Sequence, residues 1–173
     1  APIAVRGDPE VKITDADRQR RFELLQEGQK LQAKLAEASA AVRAANTQLG
    51  EIKKALSDTT TTPAPIRATL DSLIKDLEPL KKTFFIRDEG DESEFDFAEF
   101  RKVITFKAGG VVGSIGGATL PPSETDLAQW NEVKAEVPAI IDQVNAVVGR
   151  LKPFYQRLAA DGLYPAVPRP VER

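Results

Sequence analysis

Between Leu24 and Leu56 the apolar and small residues recur in steps of four and three without a lapse: Leu24, Gly28, Leu31, Leu35, Ala38, Val42, Ala45, Leu49, Ile52 and Leu56. Such spacing keeps one stripe of a helix turned toward its neighbours over about five heptads, the mark of a coiled-coil-like bundle. Gly and Ala at several seam positions call for a neighbour that comes close. Thr14, with Asp17 three residues on, supplies a capping box at the start, and "SDTTTTPAP" supplies turn formers and prolines after Ser57. The first helix is therefore expected over about 15–57. At about 1.5 Å per residue it is roughly 65 Å long.

Two further seams follow. Ile66, Leu70, Leu73, Leu77, Leu80 and Phe84 repeat the spacing behind Pro65, a first-turn proline, giving a helix over about 65–83. Trp130, Val133, Val137, Ile140, Val144, Val147, Leu151, Phe154 and Leu158 repeat it again behind the cap Ser123 and its partner Asp126, giving a helix over about 123–161 that ends at Gly162. Pro79, Pro138 and Pro153 fall inside these runs and are expected to kink or break them. The fold class expected is all-α: an elongated three-helix antiparallel coiled-coil-like bundle with extended termini. The second helix is about half as long as the first and stops midway along it. An irregular insertion over 84–122 must then cover the rest of the seam, with a short helix around "DFAEFRKVITF" followed by the glycine-rich stretch. Residues 1–13 read as an extended segment, the remnant of a preceding β domain, and 163–173 as a proline-rich tail.

Composition removes most chemistries. A formal charge of −2 with Lys and Arg scattered among the acids gives no basic face for nucleic acid. No cysteine is present, so disulfides, thiol nucleophiles and thiolate zinc sites are impossible. No histidine is present either, which removes the commonest general base and metal ligand. No apolar run approaches the roughly eighteen residues of a membrane span. With no methionine, the chain reads as a processed product or a piece of something longer.

The remaining motifs are weak. Counting from Asp88 as a calcium loop, Glu99 falls at the twelfth position, but Ser93 stands where the sixth requires glycine. "AGGVVGSIGGAT" lacks the spacing of a phosphate loop and has no Lys-Ser or Lys-Thr behind it; close helix packing or a turn explains it better. Carboxylate pairs that could hydrolyse sugars are not distinguishable from an ordinary acidic surface. Trp130 lies on a seam and reads as a core anchor. No cofactor, metal or small-molecule substrate is expected.

"FFIRDEGDESEFDF" stands apart. Seven acids lie between Asp88 and Glu99, and Phe84, Phe85, Phe95, Phe97 and Phe100 bracket them. The acids keep the segment soluble. The rings are more than the first helix can cover: some can cap the local bundle core, and the others can anchor a partner, since aromatic residues dominate interface hot spots. Phe84, Phe85, Phe95, Phe97, Phe100 and the tail's Tyr164 are therefore the candidate partner-binding residues.

"IAVRGDPEVKITDADRQRRFELL" and "GSIGGATLPPSETDL" resemble the C-terminal helical module of exported bacterial proteins that carry a sortilin-like or Asp-box β-propeller, often labelled glycosyl hydrolases. The acidic, phenylalanine-rich stretch departs from that pattern as an insertion. The resemblance implies a periplasmic or extracellular location and an origin within a larger protein. It carries over no catalytic residue, because the propeller is absent. The function expected is a non-enzymatic accessory subunit that docks on and stabilises a larger assembly, such as the periplasmic side of a respiratory or photosynthetic membrane complex. The alternatives are a folding or oligomerisation module of a propeller protein and, a distant third, a carboxylate-dependent hydrolase.

Overall fold

The computed structural model describes residues 13–57, 62–88 and 90–163. The expected extended N-terminus and proline-rich tail lie outside these, apart from Ile13 and Leu163. The fold is all-α, with five helices and no strand among the described residues: α1 (Asp15–Ser57), α2 (Ala64–Phe84), α3 (Phe97–Phe100), α4 (Ile104–Gly117) and α5 (Glu124–Ala160). Two are long and pack on each other; α2 and α4 complete the core.

The seams become the core. From Ile66 to Phe84 and from Trp130 to Leu158 every seam residue of α2 and α5 is buried, and so are those of α1 from Leu35 to Leu56. Two cross-helix bonds fix how the long helices run. Lys134 Nζ donates to Glu27 Oε2 at 2.9 Å, and Tyr155 Oη donates to Gln48 Oε1 at 2.7 Å. Both pairs are 107 residues apart in sequence, so α1 and α5 run parallel in constant register.

On the third side of this pair, α2 covers one half and α4 the other. α2 returns along the C-terminal half of α1, where Arg150 of α5 pairs with its Asp76 and Ser72. α4 lies against the N-terminal half: a Cβ on Gly28 would sit 2.6 Å from Val112 Cγ2, and one on Gly116 would sit 3.5 Å from Leu25 Cδ2. Arg21 of α1 also donates to the carbonyl of Gly116. Val111, Ile115 and Trp130 form a second core cluster at that end.

Here the structure corrects the sequence reading. The glycine-rich stretch, expected as close helix packing or a turn, is a helix of fourteen residues packed on α1, and with α3 it makes about half of the insertion helical. Its glycines weaken helix propensity by about 1 kcal/mol each relative to Ala, but Ile104, Ala108, Val111 and Ile115 give it a buried stripe that outweighs the deficit. The short helix expected over "DFAEFRKVITF" is divided instead into α3 and the start of α4, with Val103 between them buried. Pro79, Pro138 and Pro153 all lie within uninterrupted helices. Each leaves one carbonyl in the preceding turn without its helical partner, a cost that the continuous seams of α2 and α5 absorb.

The caps match their residues. Asp17 N–H donates to Thr14 Oγ1 at 3.1 Å. Ser123 and Asp126 form a reciprocal capping box at α5, in which Asp126 also accepts from Ser114 of α4. Gly162 closes α5 with φ 65°.

Candidate functional site

Between two buried feet, Ile86 and Val103, residues 87–88 and 90–102 leave the bundle. The departure is set at the end of α2. Phe85 takes a left-handed conformation (φ 52°), and Ile86 N–H returns to the carbonyl of Lys81 at 2.8 Å. This is the helix stop that glycine normally makes. A phenylalanine there carries a backbone cost of about 1–2 kcal/mol, so its ring is what the position supplies.

That ring is one of a cluster. Phe85 stacks edge-on against Phe95 at 5.4 Å and against Phe100 at 5.2 Å between centroids. Phe106, on the first turn of α4, joins through Phe100 at 5.0 Å and Phe97 at 6.5 Å. The rings gain by edge-to-face contact but are far from covered: Phe95 and Phe97 each keep 57% of their surface in water and Phe106 keeps 39%.

Polar contacts hold the segment in shape. Arg87 places its guanidinium 5.5 Å from the Phe85 centroid and donates to the carbonyl of Glu94 at 2.9 Å, bracing one limb against the other. Asp96 caps α3 by accepting from Ala98 N–H at 2.8 Å. Asp91 accepts from Ser93 N–H at 2.9 Å, and the hydrogen bonds with Ser93 hold its carboxyl below the ordinary value. At the base, Lys81 keeps only 7% of its side chain exposed and donates to both carboxylate oxygens of Asp88 at 2.8 Å and to Glu78 at 2.9 Å. Asn46 of α1 donates to the same Asp88 at 3.0 Å. Burial pulls the Lys81 pKa down, but the hydrogen bonds to Asp88 and Glu78 outweigh it and leave the pKa raised. Hydrogen bonds from Lys81 and Asn46 lower that of Asp88.

The sequence-derived residues divide. Phe85, Phe95, Phe97 and Phe100 come together. Phe84 does not: it completes the α2 seam and is buried in the core, so its side chain is not available at the surface. Tyr164 lies outside the described residues. Phe106 was missed, although it stands off the 104, 108, 111, 115 stripe of α4, which is the signal that marks it as outward-facing. Asp88 is engaged by Lys81 and Asn46 rather than turned toward an ion. Among the described residues no group of three or more Asp or Glu side chains is arranged to hold a metal.

Elsewhere, an open trough of about 600 Å³ runs between α1 and α5, lined by Ala38, Ala41, Val137, Ile141 and Val148 with Lys34 on its rim. Asp76, Asp88, Asp91 and Asp126 all have lowered pKa values and stay ionised, the reverse of what a general acid requires. No helix among the described residues is long and apolar enough to cross a membrane. No protein family, curated protein or solved structure matches the chain.

Proposed function

We propose that this chain is a non-enzymatic structural or accessory subunit that docks on a larger protein assembly through the phenylalanine cluster of residues 85–106. The observation that carries the reading is where apolar surface is left bare. Of the five large hydrophobic side chains exposed among the described residues, Phe95, Phe97 and Phe106 sit in this one cluster. Scattered exposed apolar residues are ordinary, whereas a gathered and braced set is the mark of a contact surface. The lack of histidine and cysteine supports a binding rather than a catalytic role.

In this reading the bundle is an elongated three-stranded coiled-coil-like strut with the contact arm at mid-length. The extracytoplasmic location rests on the resemblance to exported propeller proteins, as does the alternative of a folding module within one of them. The intact mass of the native protein separates the two, since a propeller-bearing precursor removes the free-subunit reading. The docking itself is tested by capture from the native source on the immobilised chain. One stoichiometric partner assembly is expected on the wild type and lost on Phe95→Ser/Phe97→Ser at unchanged helical circular dichroism. Equal capture by that variant refutes the assignment of the contact to these rings.

A further inference from the structure

Given that docking reading, we infer that the arm's partner is a basic amphipathic protein segment, with apolar residues that seat the Phe95–Phe97–Phe106 surface and lysines or arginines around them. From Asp88 to Glu99 the chain carries seven acids and no base. Glu92, Glu94, Asp96 and Glu99 are all exposed, and Glu94 and Asp96 alternate with Phe95 and Phe97. Of the cations around the arm, Arg87 braces Phe85 and the Glu94 carbonyl, Lys81 is buried on Asp88, Lys102 pairs with Glu99 and Lys107 with Glu136 of α5. Arg101 follows at the far end of α3. The bare rings are therefore framed by negative charge, and a complementary surface is apolar at its centre and positive at its edge.

The same charges argue against the other occupants. An anionic membrane or a nucleic acid meets like charge. A second copy taking the arm in the trough between α1 and α5 would bring it against Glu37 and Asp142, with Lys34 beside them, and one meeting it arm to arm would face like charge. The arm is also shaped before it binds, because the feet Ile86 and Val103, the Asp96 cap and the Arg87 brace already fix it. Little ordering remains to be done on association, and preformed surfaces keep more of their contact energy as affinity.

The probe is a designed helical peptide of leucine and lysine about five turns long, with a leucine–glutamate peptide of the same pattern as control. Binding to the full chain is followed by isothermal titration calorimetry. The lysine peptide is expected to bind, and to weaken about tenfold or more with Phe95→Ser/Phe97→Ser, which leaves the charge intact. Glu92→Gln/Glu94→Gln, which leaves the rings intact, is expected to weaken it several-fold. Affinity should fall as salt rises from about 50 to about 500 mM, because exposed charges are then screened. Equal binding to the serine variant means adsorption to charge alone and overturns the inference. So does binding of the glutamate peptide or of phosphatidylglycerol vesicles, or dimerisation of the chain through the arm in sedimentation. Capture of a native assembly that needs Phe95 and Phe97 but ignores salt overturns the charge assignment while leaving the docking reading intact.

Discussion

Gly28→Ala tests the closest approach in the fold. In an open helix this substitution stabilises by about 0.5–1 kcal/mol, because glycine loses more backbone freedom on folding. Here the new Cβ would lie 2.6 Å from Val112 Cγ2, with Val112 Cγ1 next at 3.4 Å. Valine in a helix holds one χ1 rotamer strongly, so its methyl cannot swing aside freely. Overpacking of this kind costs about 1–3 kcal/mol. The clash outweighs the propensity gain, and a net destabilisation of about 1 kcal/mol is expected. Gly50, in the same helix with nothing within 4 Å of a built Cβ, is the internal control, and Gly50→Ala should stabilise. Only Val112 atoms crowd Gly28, so in a Val112→Ala background Gly28→Ala should change sign and stabilise too. The two sites then couple by about 2 kcal/mol, well above the scatter of additive pairs. Urea unfolding followed at 222 nm reads each variant as a shift in midpoint at constant slope. If Gly28→Ala alone stabilises as much as Gly50→Ala, α4 does not lie against α1 as described and the packing argument fails.

Asp88→Asn should lower stability by about 1 kcal/mol near neutral pH, a charged hydrogen bond discounted for the exposure of Asp88, and should flatten the pH profile at both ends. Asp88 is held below its ordinary 3.8, so its contribution is present above that value and is lost as pH falls through the lower folded pKa. Lys81 is held above 10.5, so its contribution is complete below that value and is lost as pH rises through the higher folded pKa. Urea midpoints across acid and alkaline pH check both limbs, and unchanged limbs in the variant would remove Lys81–Asp88 as their source. Ile115→Ala should cost about 2–5 kcal/mol and shift the emission of Trp130, the only tryptophan, to longer wavelength before global unfolding. Leu73→Ala, in the other core cluster, should destabilise without that early shift.

How much of this was legible depended on whether one periodic signal dominated. The seams of α1, α2 and α5 are long and uninterrupted, and the helices continue through the prolines inside them, with Leu77 and Leu80 buried around Pro79. The midpoint end of α2 and the need for another cover over the N-terminal half of α1 also followed from length alone. The nature of that cover did not. Glycine at 109, 110, 113, 116 and 117 reads as close packing or a turn, and the four–three–four stripe from Ile104 to Ile115 is too short to decide for a helix. In the site, the cluster of Phe85, Phe95, Phe97 and Phe100 could be suspected from crowding. Phe84 already stood apart as the last residue of the α2 seam, but the left-handed turn at Phe85 that ends the helix there was not visible, because phenylalanine seldom makes one. The Lys81–Asp88–Asn46 contact was equally hidden, since it joins α2, the arm and α1 across 42 residues.

The parallel register of α1 and α5 has a consequence for assembly of the chain itself. Neighbours 107 residues apart meet late, after a long loop has closed. The pieces that can form locally are two helical hairpins, α1–α2 and α4–α5, each with one long leg and one short. Neither can cover its own long leg; each lends its short leg to the other. The arm is the connection between these two half-built pieces, so a single proteolytic nick within it would yield two fragments that need each other to fold. The segment we propose as the docking surface is thus also the tether between the protein's own two halves.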